Sequence, residues 1–234
     1  MPLPDRDFDT TEVAVPWRLL TDAGHIVQFA TELGAEAPAT DPLLLKGVVF
    51  KALGAAREAK EFYAKLLTDA RYNAPIAWGD INVGAFDGLI LPGGHAPGMK
   101  QYLASEILQQ KVAEFWATNK PVGAICHGVL VLARAGCLAG RTTTCLPKYL
   151  ERTAFFSTAW LRGRYYRTYP AYVEDEVRAA LTSKKDFKRG PITSTRRGTA
   201  KNDRPAFVVE DRNYVSARWP GDAYLFAKKF AERL

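Results

Sequence analysis

The sequence predicts an α/β fold built on a mostly parallel sheet. Two short apolar runs, at residues 86–91 and 121–125, have the length of buried strands. Residues 105–118 between them carry apolar side chains at helical spacing, namely Ile107, Leu108, Val112 and Phe115. Strand, crossover helix and strand form the unit of a parallel sheet. With 234 residues and 47% hydrophobic content, the chain can bury the core of one such domain.

The N-terminal part is expected to hold a helix, a strand and a second helix. Thr10 or Thr11 can cap the first helix, and Gly24 is placed to end it. Residues 25–30 then read as a strand. A long amphipathic pattern covers about residues 51–69, which indicates a helix with one buried face.

The C-terminal part begins with a weaker pattern. Residues 142–205 are first Thr-rich, then basic and aromatic, with a helix predicted around 174–181. We interpret this segment as an elaboration over the functional site, so that residues 1–234 form a single domain. Two strands at 206–209 and 214–217 form a hairpin, and a final helix begins near residues 220–222.

Composition excludes several classes of protein. The longest apolar runs, such as residues 43–45, are far too short to cross a bilayer, and no basic stretch followed by an apolar one marks a secretory signal. Three cysteines without a Cys-x-x-Cys pair suggest neither a disulfide framework nor a structural zinc site. We therefore expect a soluble protein of the reducing cytoplasm that does not associate with membranes.

The formal net charge of +7 raises the question of nucleic acid. Basic residues cluster late in the chain, and residues 164–169 interleave arginine with tyrosine, as single-strand binders do. A Tyr-rich strand or loop packed on a core has the same composition. We expect the second, and therefore no nucleic-acid partner.

Cys126 is the residue most suited to chemistry. It follows the apolar run 121–125 and precedes a helix, whose N-terminal N–H groups stabilise a thiolate and lower the thiol pKa. Gly128 permits the tight elbow that such a turn needs. The alternative role, a buried structural cysteine, is what we expect for Cys137 and Cys145.

An oxyanion formed at Cys126 needs hydrogen-bond donors. The backbone N–H groups of Gly94, at the end of the neighbouring strand, and of His127 are available on this reading. Gly93 and Gly94 also permit close approach of substrate, although Pro-Gly-Gly can equally be an ordinary turn.

Any Cys-His chemistry must use one of the three histidines, His25, His95 or His127. His127 is the best candidate and His95 the second, while His25 begins a predicted strand away from the elbow. Because His127 directly follows the nucleophile, an orienting role is an alternative to general-base catalysis. The histidines lack ligand-like spacing, so neither a metal nor another cofactor is expected.

The runs DGLILPGGH at 87–95 and AICHG at 124–128 resemble the ThiJ/PfpI family of the class I glutamine-amidotransferase-like superfamily. The resemblance covers nearly the whole chain, since residues 7–17 look like the start of the family's first helix. It implies a flavodoxin-like sandwich, a nucleophile elbow at a strand end and a homodimer. It also implies that Glu12 meets the cysteine, and that Glu151 is the nearest match to the acidic residue of a Cys-His-acid triad.

The chain departs from the family at its start, because residues 1–4 hold almost none of the apolar first strand. A missing or truncated central strand would cost much of the stability of a domain.

The resemblance also implies the activity. No histidine follows His127, so glutaminase activity, which uses a C-terminal His-x-Glu pair, is not expected. The leading hypothesis is a glutathione-independent glyoxalase or deglycase that acts on small carbonyl compounds such as methylglyoxal. The alternatives are a cysteine peptidase or other hydrolase, and a non-catalytic, redox-sensing holding chaperone.

Overall fold

The computed structural model describes residues 1–50, 52–167, 169–192 and 196–234. The strands within these ranges are β1 (Arg6–Phe8), β2 (Ala30–Thr31), β3 (Ala39–Thr40), β4 (Ile76–Ala77), β5 (Leu89–Leu91), β6 (Val122–Ile125), β7 (Val208–Asp211) and β8 (Tyr214–Ala217). The helices are α1 (Thr10–Asp22), α2 (Pro42–Lys46), α3 (Arg57–Leu66), α4 (Ala70–Asn73), α5 (Met99–Ala104), α6 (Glu106–Ala117), α7 (Val129–Arg134), α8 (Lys148–Arg162), α9 (Val173–Ala179) and α10 (Ala223–Ala231).

The sheet that carries the elbow has four strands in the order β5-β6-β8-β7. β5, β6 and β8 run parallel, and β7 pairs antiparallel with β8 as the sequence predicts for a hairpin. Two parallel pairs, β1 with β3 and β2 with β4, lie outside this sheet. The predicted α/β class with a mostly parallel sheet is confirmed.

Helices pack on this sheet through buried apolar faces. The C-terminal helix α10 contacts β6, β8 and α1, while α7 contacts β6 and α6. Gly123 makes the first packing possible, because a Cβ there would lie 2.8 Å from Phe226 and 2.9 Å from Phe230. The strands are accordingly buried along their whole length: every residue of β5, β6 and β8 is buried. This burial fixes the carboxyl ends of the strands, where the elbow lies.

The cap of the first helix differs from the prediction. Asp9, rather than Thr10 or Thr11, is the N-cap, and its Oδ1 accepts hydrogen bonds from the backbone N–H of Thr11 at 2.8 Å and Glu12 at 3.1 Å. Aspartate is the stronger N-cap, since its carboxylate also interacts favourably with the positive end of the helix dipole. The predicted end is right: the helix stops at Asp22, and Gly24 has a φ of 89°.

Two predicted elements in the N-terminal half are shorter than expected. Of residues 25–30 only Ala30 belongs to a strand. Residues 26–28 line a cavity instead of pairing with a neighbouring strand, and Ile26 is 73% exposed. The helix predicted over residues 51–69 is α3, which begins only at Arg57, and Lys51 lies outside the described residues. Residues 52–56 instead turn back on α2, with the Ala55 N–H donating to Leu44 O at 2.9 Å.

The start of the chain forms a short parallel ladder. Leu3 N–H donates to Ala30 O at 2.8 Å, and Ala30 N–H donates to Met1 O at 3.2 Å. A cavity of about 570 Å³ lies beside this ladder, lined by Met1, Pro2, and parts of residues 24–30 and 85–90 among others. It opens at the end of the strands opposite the elbow, so it is separate from the candidate site described below.

The segment 142–205 contains α9, which matches the helix predicted near residues 174–181, and α8, which the sequence analysis missed. Among the residues of α8 only Glu151 and Thr158 are buried, whereas Phe156 is 62% and Trp160 64% exposed. Because its large apolar side chains do not line one buried face, no core-facing stripe marks this helix in the sequence. No helix in the described part of the chain is long and apolar enough to span a membrane.

A buried ion pair holds the turn before α10. The guanidinium of Arg218 donates to both carboxylate oxygens of Asp222, at 2.8 and 3.0 Å, and both residues are fully buried. The remaining Arg218 nitrogen donates to Pro191 O at 2.7 Å, and Asp222 Oδ1 also accepts from Phe207 N–H at 2.9 Å. The pair therefore ties the C-terminal turn to two separate segments.

Arg218→Met is expected to lower the free energy of unfolding by about 3–5 kcal/mol, because it leaves the Asp222 carboxylate buried without its cation. Urea denaturation at neutral pH measures this loss. The matched control is Arg57→Met, which breaks an exposed ion pair with Glu61 and should cost less than about 1 kcal/mol. Equal losses in the two variants would contradict this account of the turn.

Candidate active site

The elbow is built by the end of β6. The strand ends at Ile125, and Cys126 follows with a φ of 59°, the left-handed region that non-glycine residues rarely adopt. A single 3₁₀ turn, Cys126–Gly128, then leads into α7. Gly128 is required here, since a Cβ on this residue would lie 2.0 Å from Leu91 O of the adjacent strand. The strained backbone presents the Cys126 side chain at the carboxyl edge of the sheet, as a nucleophile elbow does.

Glu12 reaches the elbow from the first turn of α1. Asp9 N–H donates to Gly93 O at 2.9 Å, which ties the start of α1 to the end of β5. Glu12 Oε2 in turn accepts a hydrogen bond from Gly93 N–H at 2.8 Å. The Glu12 side chain is fully buried, and it interacts with the Cys126 thiol. The predicted pair of cysteine and acid is thus assembled in the structure by backbone contacts with Gly93.

Burial dominates the electrostatics of this pair. Removal from water raises the pKa of Glu12 well above its ordinary value, and the neighbouring Asp9 acts in the same direction. Burial also raises the pKa of the Cys126 thiol, followed by the negative charge of Glu12, while the backbone N–H of His127 acts in the opposite direction. The expectation of a thiol pKa lowered by the helix N-terminus is therefore wrong, because desolvation outweighs the helix dipole. The thiol therefore rests in its protonated form, and the Glu12 carboxyl is shifted toward its protonated form.

His127 and His95 also lie near the thiol. His127 Nδ1 is 3.4 Å from Cys126 Sγ, and the two imidazole rings are 4.5 Å apart between centroids. Burial lowers the pKa of His95 to about 4 and that of His127 well below its ordinary value. Both rings are consequently neutral at physiological pH, and each offers a nitrogen lone pair.

The two glycines at the end of β5 play different parts. Gly93 adjoins the nucleophile, since a Cβ there would lie 2.6 Å from His127 N and 3.0 Å from Cys126 Cβ. Gly94 packs instead against the backbone of Asp7 and Asp9. The glycine that lies close to the nucleophile is therefore Gly93. Its backbone N–H donates a hydrogen bond to Glu12.

Glu151 occupies a different environment from the one the resemblance implies. Its Oε1 accepts a hydrogen bond from Arg167 at 3.2 Å, and its Oε2 accepts from Val173 N–H at 3.0 Å. Burial raises its pKa to about 7. Among the described residues no hydrogen bond joins Glu151 to His127. The Glu151 carboxylate instead links α8 to the start of α9.

The candidate site is closed to solvent. Cys126 is only 1% and His127 only 2% exposed. Tyr166 packs against His95, with ring centroids 6.1 Å apart, and its hydroxyl donates to Asp41 Oδ2 at 2.7 Å. A substrate can therefore reach the sulfur only when side chains around the site move.

Sequence reasoning missed Asp9 and Asp41 as residues of this environment. Burial raises the pKa of Asp9 to about 6, and its charge in turn raises the pKa values of Glu12 and Cys126. Its signal in the sequence is the run Asp-Thr-Thr-Glu at residues 9–12, which has the spacing of a capping box. Asp41 shows no comparable signal, because its partners Tyr165 and Tyr166 are distant in the chain.

The raised pKa of Glu12 predicts how stability depends on pH. The folded state favours the protonated carboxyl, so this group destabilises the fold increasingly as pH rises above 4.5, its ordinary pKa, and through the raised folded value. Glu12→Gln imitates the protonated form at every pH. The variant should therefore gain stability over the wild type as pH increases from about 5 to about 9.

Urea denaturation across this pH range measures the difference between the two proteins. The matched control is Glu61→Gln, on an exposed carboxylate, which should not show the same gain. A Glu12→Gln variant whose stability tracks the wild type at every pH would show that Glu12 ionises freely in the fold.

Comparisons with known proteins agree with this geometry. The family model described as ThiJ/PfpI family-like matches residues 3–191. A deglycase of Pyrococcus abyssi is 28% identical over 227 residues, which cover 97% of this chain and 93% of the relative. An uncharacterized protein of Schizosaccharomyces pombe is also 28% identical, over 97% of this chain and 79% of its own length.

Solved structures share the fold. Glyoxalase III of Candida albicans superposes with a TM-score of 0.68 at 17% identity, over 97% of this chain and 88% of that one. DJ-1beta of Drosophila melanogaster superposes with a TM-score of 0.61 at 19% identity, over 100% and 87%. These likenesses confirm the expected flavodoxin-like architecture.

Proposed function

Because this chain belongs to the ThiJ/PfpI-like family, we propose that it is a cysteine-dependent enzyme that converts small α-oxoaldehydes, such as methylglyoxal, to 2-hydroxy acids without glutathione. The observation that carries the proposal is that the Cys126 thiol contacts both the Glu12 carboxyl and the His127 imidazole. Similar proteins named deglycase and glyoxalase III support the same class of carbonyl chemistry.

In the first step the sulfur of Cys126 adds to the aldehyde carbon. A sulfur–carbon bond forms and the carbonyl π bond breaks. The thiol proton passes by way of the neutral His127, whose Nδ1 is 3.4 Å from the sulfur, to the carbonyl oxygen, which becomes a hydroxyl group. Because the thiol rests in its neutral form, removal of its proton must accompany the addition. The product is a hemithioacetal on Cys126.

In the second step a proton moves between the two carbons of the substrate. Glu12 in its ionised form is the base, because a carboxylate with a raised pKa binds a proton more strongly than an ordinary one. It removes the proton from the carbon bonded to sulfur, and the resulting enediol is reprotonated on the neighbouring carbon. His127 is the alternative group for this transfer. The product is a 2-hydroxyacyl thioester.

In the third step water attacks the thioester carbonyl. The carbon–sulfur bond breaks, the 2-hydroxy acid leaves, and the Cys126 thiol is restored. The sequence of steps consumes one water molecule, so methylglyoxal gives lactate, and it draws on side chains of this chain alone.

The test is an assay of methylglyoxal loss together with lactate formation by purified protein in glutathione-free buffer. The proposal predicts that one lactate forms for each methylglyoxal consumed. Methylglyoxal loss without lactate would indicate mere trapping by the thiol, and a folded protein without either change would reject the proposal.

Of the alternative functions, a peptidase needs an open groove for an extended substrate, whereas Cys126 is only 1% exposed. A redox-sensing chaperone needs a reactive thiolate, whereas burial raises the pKa of this thiol. The burial of the site therefore favours a small substrate that can be enclosed.

We also propose a homodimer, which size-exclusion chromatography with light scattering will test.

A further inference from the structure

Three ligand-bearing side chains converge at the elbow, although they are spread over the sequence without metal-binding spacing. The Sγ of Cys126 and one ring nitrogen each of His95 and His127 all lie within 4.8 Å of one another. His95 comes from the segment after β5 and the other two from the elbow after β6, so the pairing of these two parallel strands brings the donors together.

The separations suit one metal ion. Zinc binds sulfur at about 2.3 Å and imidazole nitrogen at about 2.0–2.1 Å, which places two donors of one tetrahedral ion about 3.3–3.6 Å apart. Cys126 Sγ and His127 Nδ1 already meet this condition at 3.4 Å. All pairs of donor atoms in the cluster lie within 4.8 Å of one another, so binding a common ion requires a closure of at most about 1.5 Å.

The chemistry of the donors selects the kind of ion. The neutral imidazole of histidine is the commonest metal ligand in proteins, and two of the three donors are of this kind. One thiolate with two imidazoles favours borderline-soft divalent ions such as Zn²⁺ over Mg²⁺ or Ca²⁺, which prefer oxygen ligands.

We propose that His95, Cys126 and His127 form a binding site for a single Zn²⁺-like ion that masks the nucleophile. On binding, the S–H bond of Cys126 breaks, a sulfur–metal bond forms and the proton passes to solvent. The ion therefore holds the group that attacks the carbonyl, and it occupies the imidazole that accepts the thiol proton. Binding is independent of the proposed reaction, whereas inhibition by the ion rests on it.

Titration of the purified, metal-free protein with Co²⁺ tests the site. A thiolate-bound Co²⁺ ion gives a charge-transfer band in the near ultraviolet, so the band should saturate at one Co²⁺ per chain and disappear when Zn²⁺ is added. Cys126→Ser should abolish the band. His95→Gln should weaken Co²⁺ binding by about a hundredfold or more, since even residues that only support metal ligands contribute tenfold to hundredfold.

Two matched controls keep the test specific. His25→Gln changes the histidine that lines the cavity beside Met1, and Cys137→Ser changes a thiol that hydrogen-bonds Ala135 O, so both should retain the band. Circular dichroism verifies that each variant is folded. Absence of the band in the wild type, or unchanged affinity in folded His95→Gln, would overturn the proposal.

The two proposals fail separately. Lactate formation without a Co²⁺ band would reject the metal site and leave the enzyme assignment standing. A Co²⁺ band with the predicted dependence on the variants, in a protein that forms no lactate, would support the metal site alone.

Discussion

Cys126→Ser is expected to reduce glutathione-free conversion of methylglyoxal to lactate by about a thousandfold or more. The hydroxyl of serine is a far weaker nucleophile than a thiol, and no thioester can form on it. The rate of lactate formation under subsaturating methylglyoxal measures the effect. Serine is close to cysteine in size, so the elbow with its positive φ should persist, and circular dichroism will verify this.

The matched control for this prediction is Cys137→Ser. Cys137 is nearly as buried, at 7% exposure, but follows α7 and makes no contact with Glu12 that the structure shows in its described part. Lactate formation should stay within about twofold of the wild type in this variant. If Cys126→Ser retained full activity, the chemistry would have to proceed without the thiol.

Glu12→Gln is expected to lower the rate by about a hundredfold to ten-thousandfold, the usual range for loss of a general base. The amide can still accept the hydrogen bond from Gly93 N–H, so it preserves the geometry of the site while removing the base. Addition of the thiol should still occur, and the hemithioacetal should then revert to methylglyoxal instead of giving lactate.

Glu61→Gln is the control for Glu12→Gln, because it changes an exposed glutamate far from the elbow in the sequence. It should leave the rate unchanged within about twofold. If Glu12→Gln formed lactate at the wild-type rate, His127 would be left as the group that moves the proton between the two carbons.

Short apolar runs bounded by turn-forming residues made the centre of the fold predictable from the sequence. β5, α6 and β6 are local patterns, and the elbow follows β6 directly, so Cys126 and Gly128 could be placed without any long-range contact. Glu12 was placed only through the family resemblance. Nothing local to its helix indicates that its carboxyl meets Gly93 and Cys126.

What the sequence could not predict depends on tertiary contacts. The pKa of the Cys126 thiol follows from its burial and from the nearby carboxyls of Glu12 and Asp9, which the residues around the elbow do not specify. The proximity of His95 to His127 follows from the register of β5 against β6. α8 escaped prediction because Phe156 and Trp160 are exposed to solvent, and periodicity detects helices by their buried faces.

The most direct test of the central claim, that carbonyl chemistry runs through Cys126, is to trap the thioester. The wild-type protein is mixed with methylglyoxal and quenched in acid during turnover, and the peptide that contains Cys126 is analysed by mass spectrometry. We expect a gain of one methylglyoxal mass on Cys126, released by hydroxylamine as lactohydroxamate. Lactate formation without any such adduct, and unchanged in Cys126→Ser, would show that the chemistry does not run through this thiol.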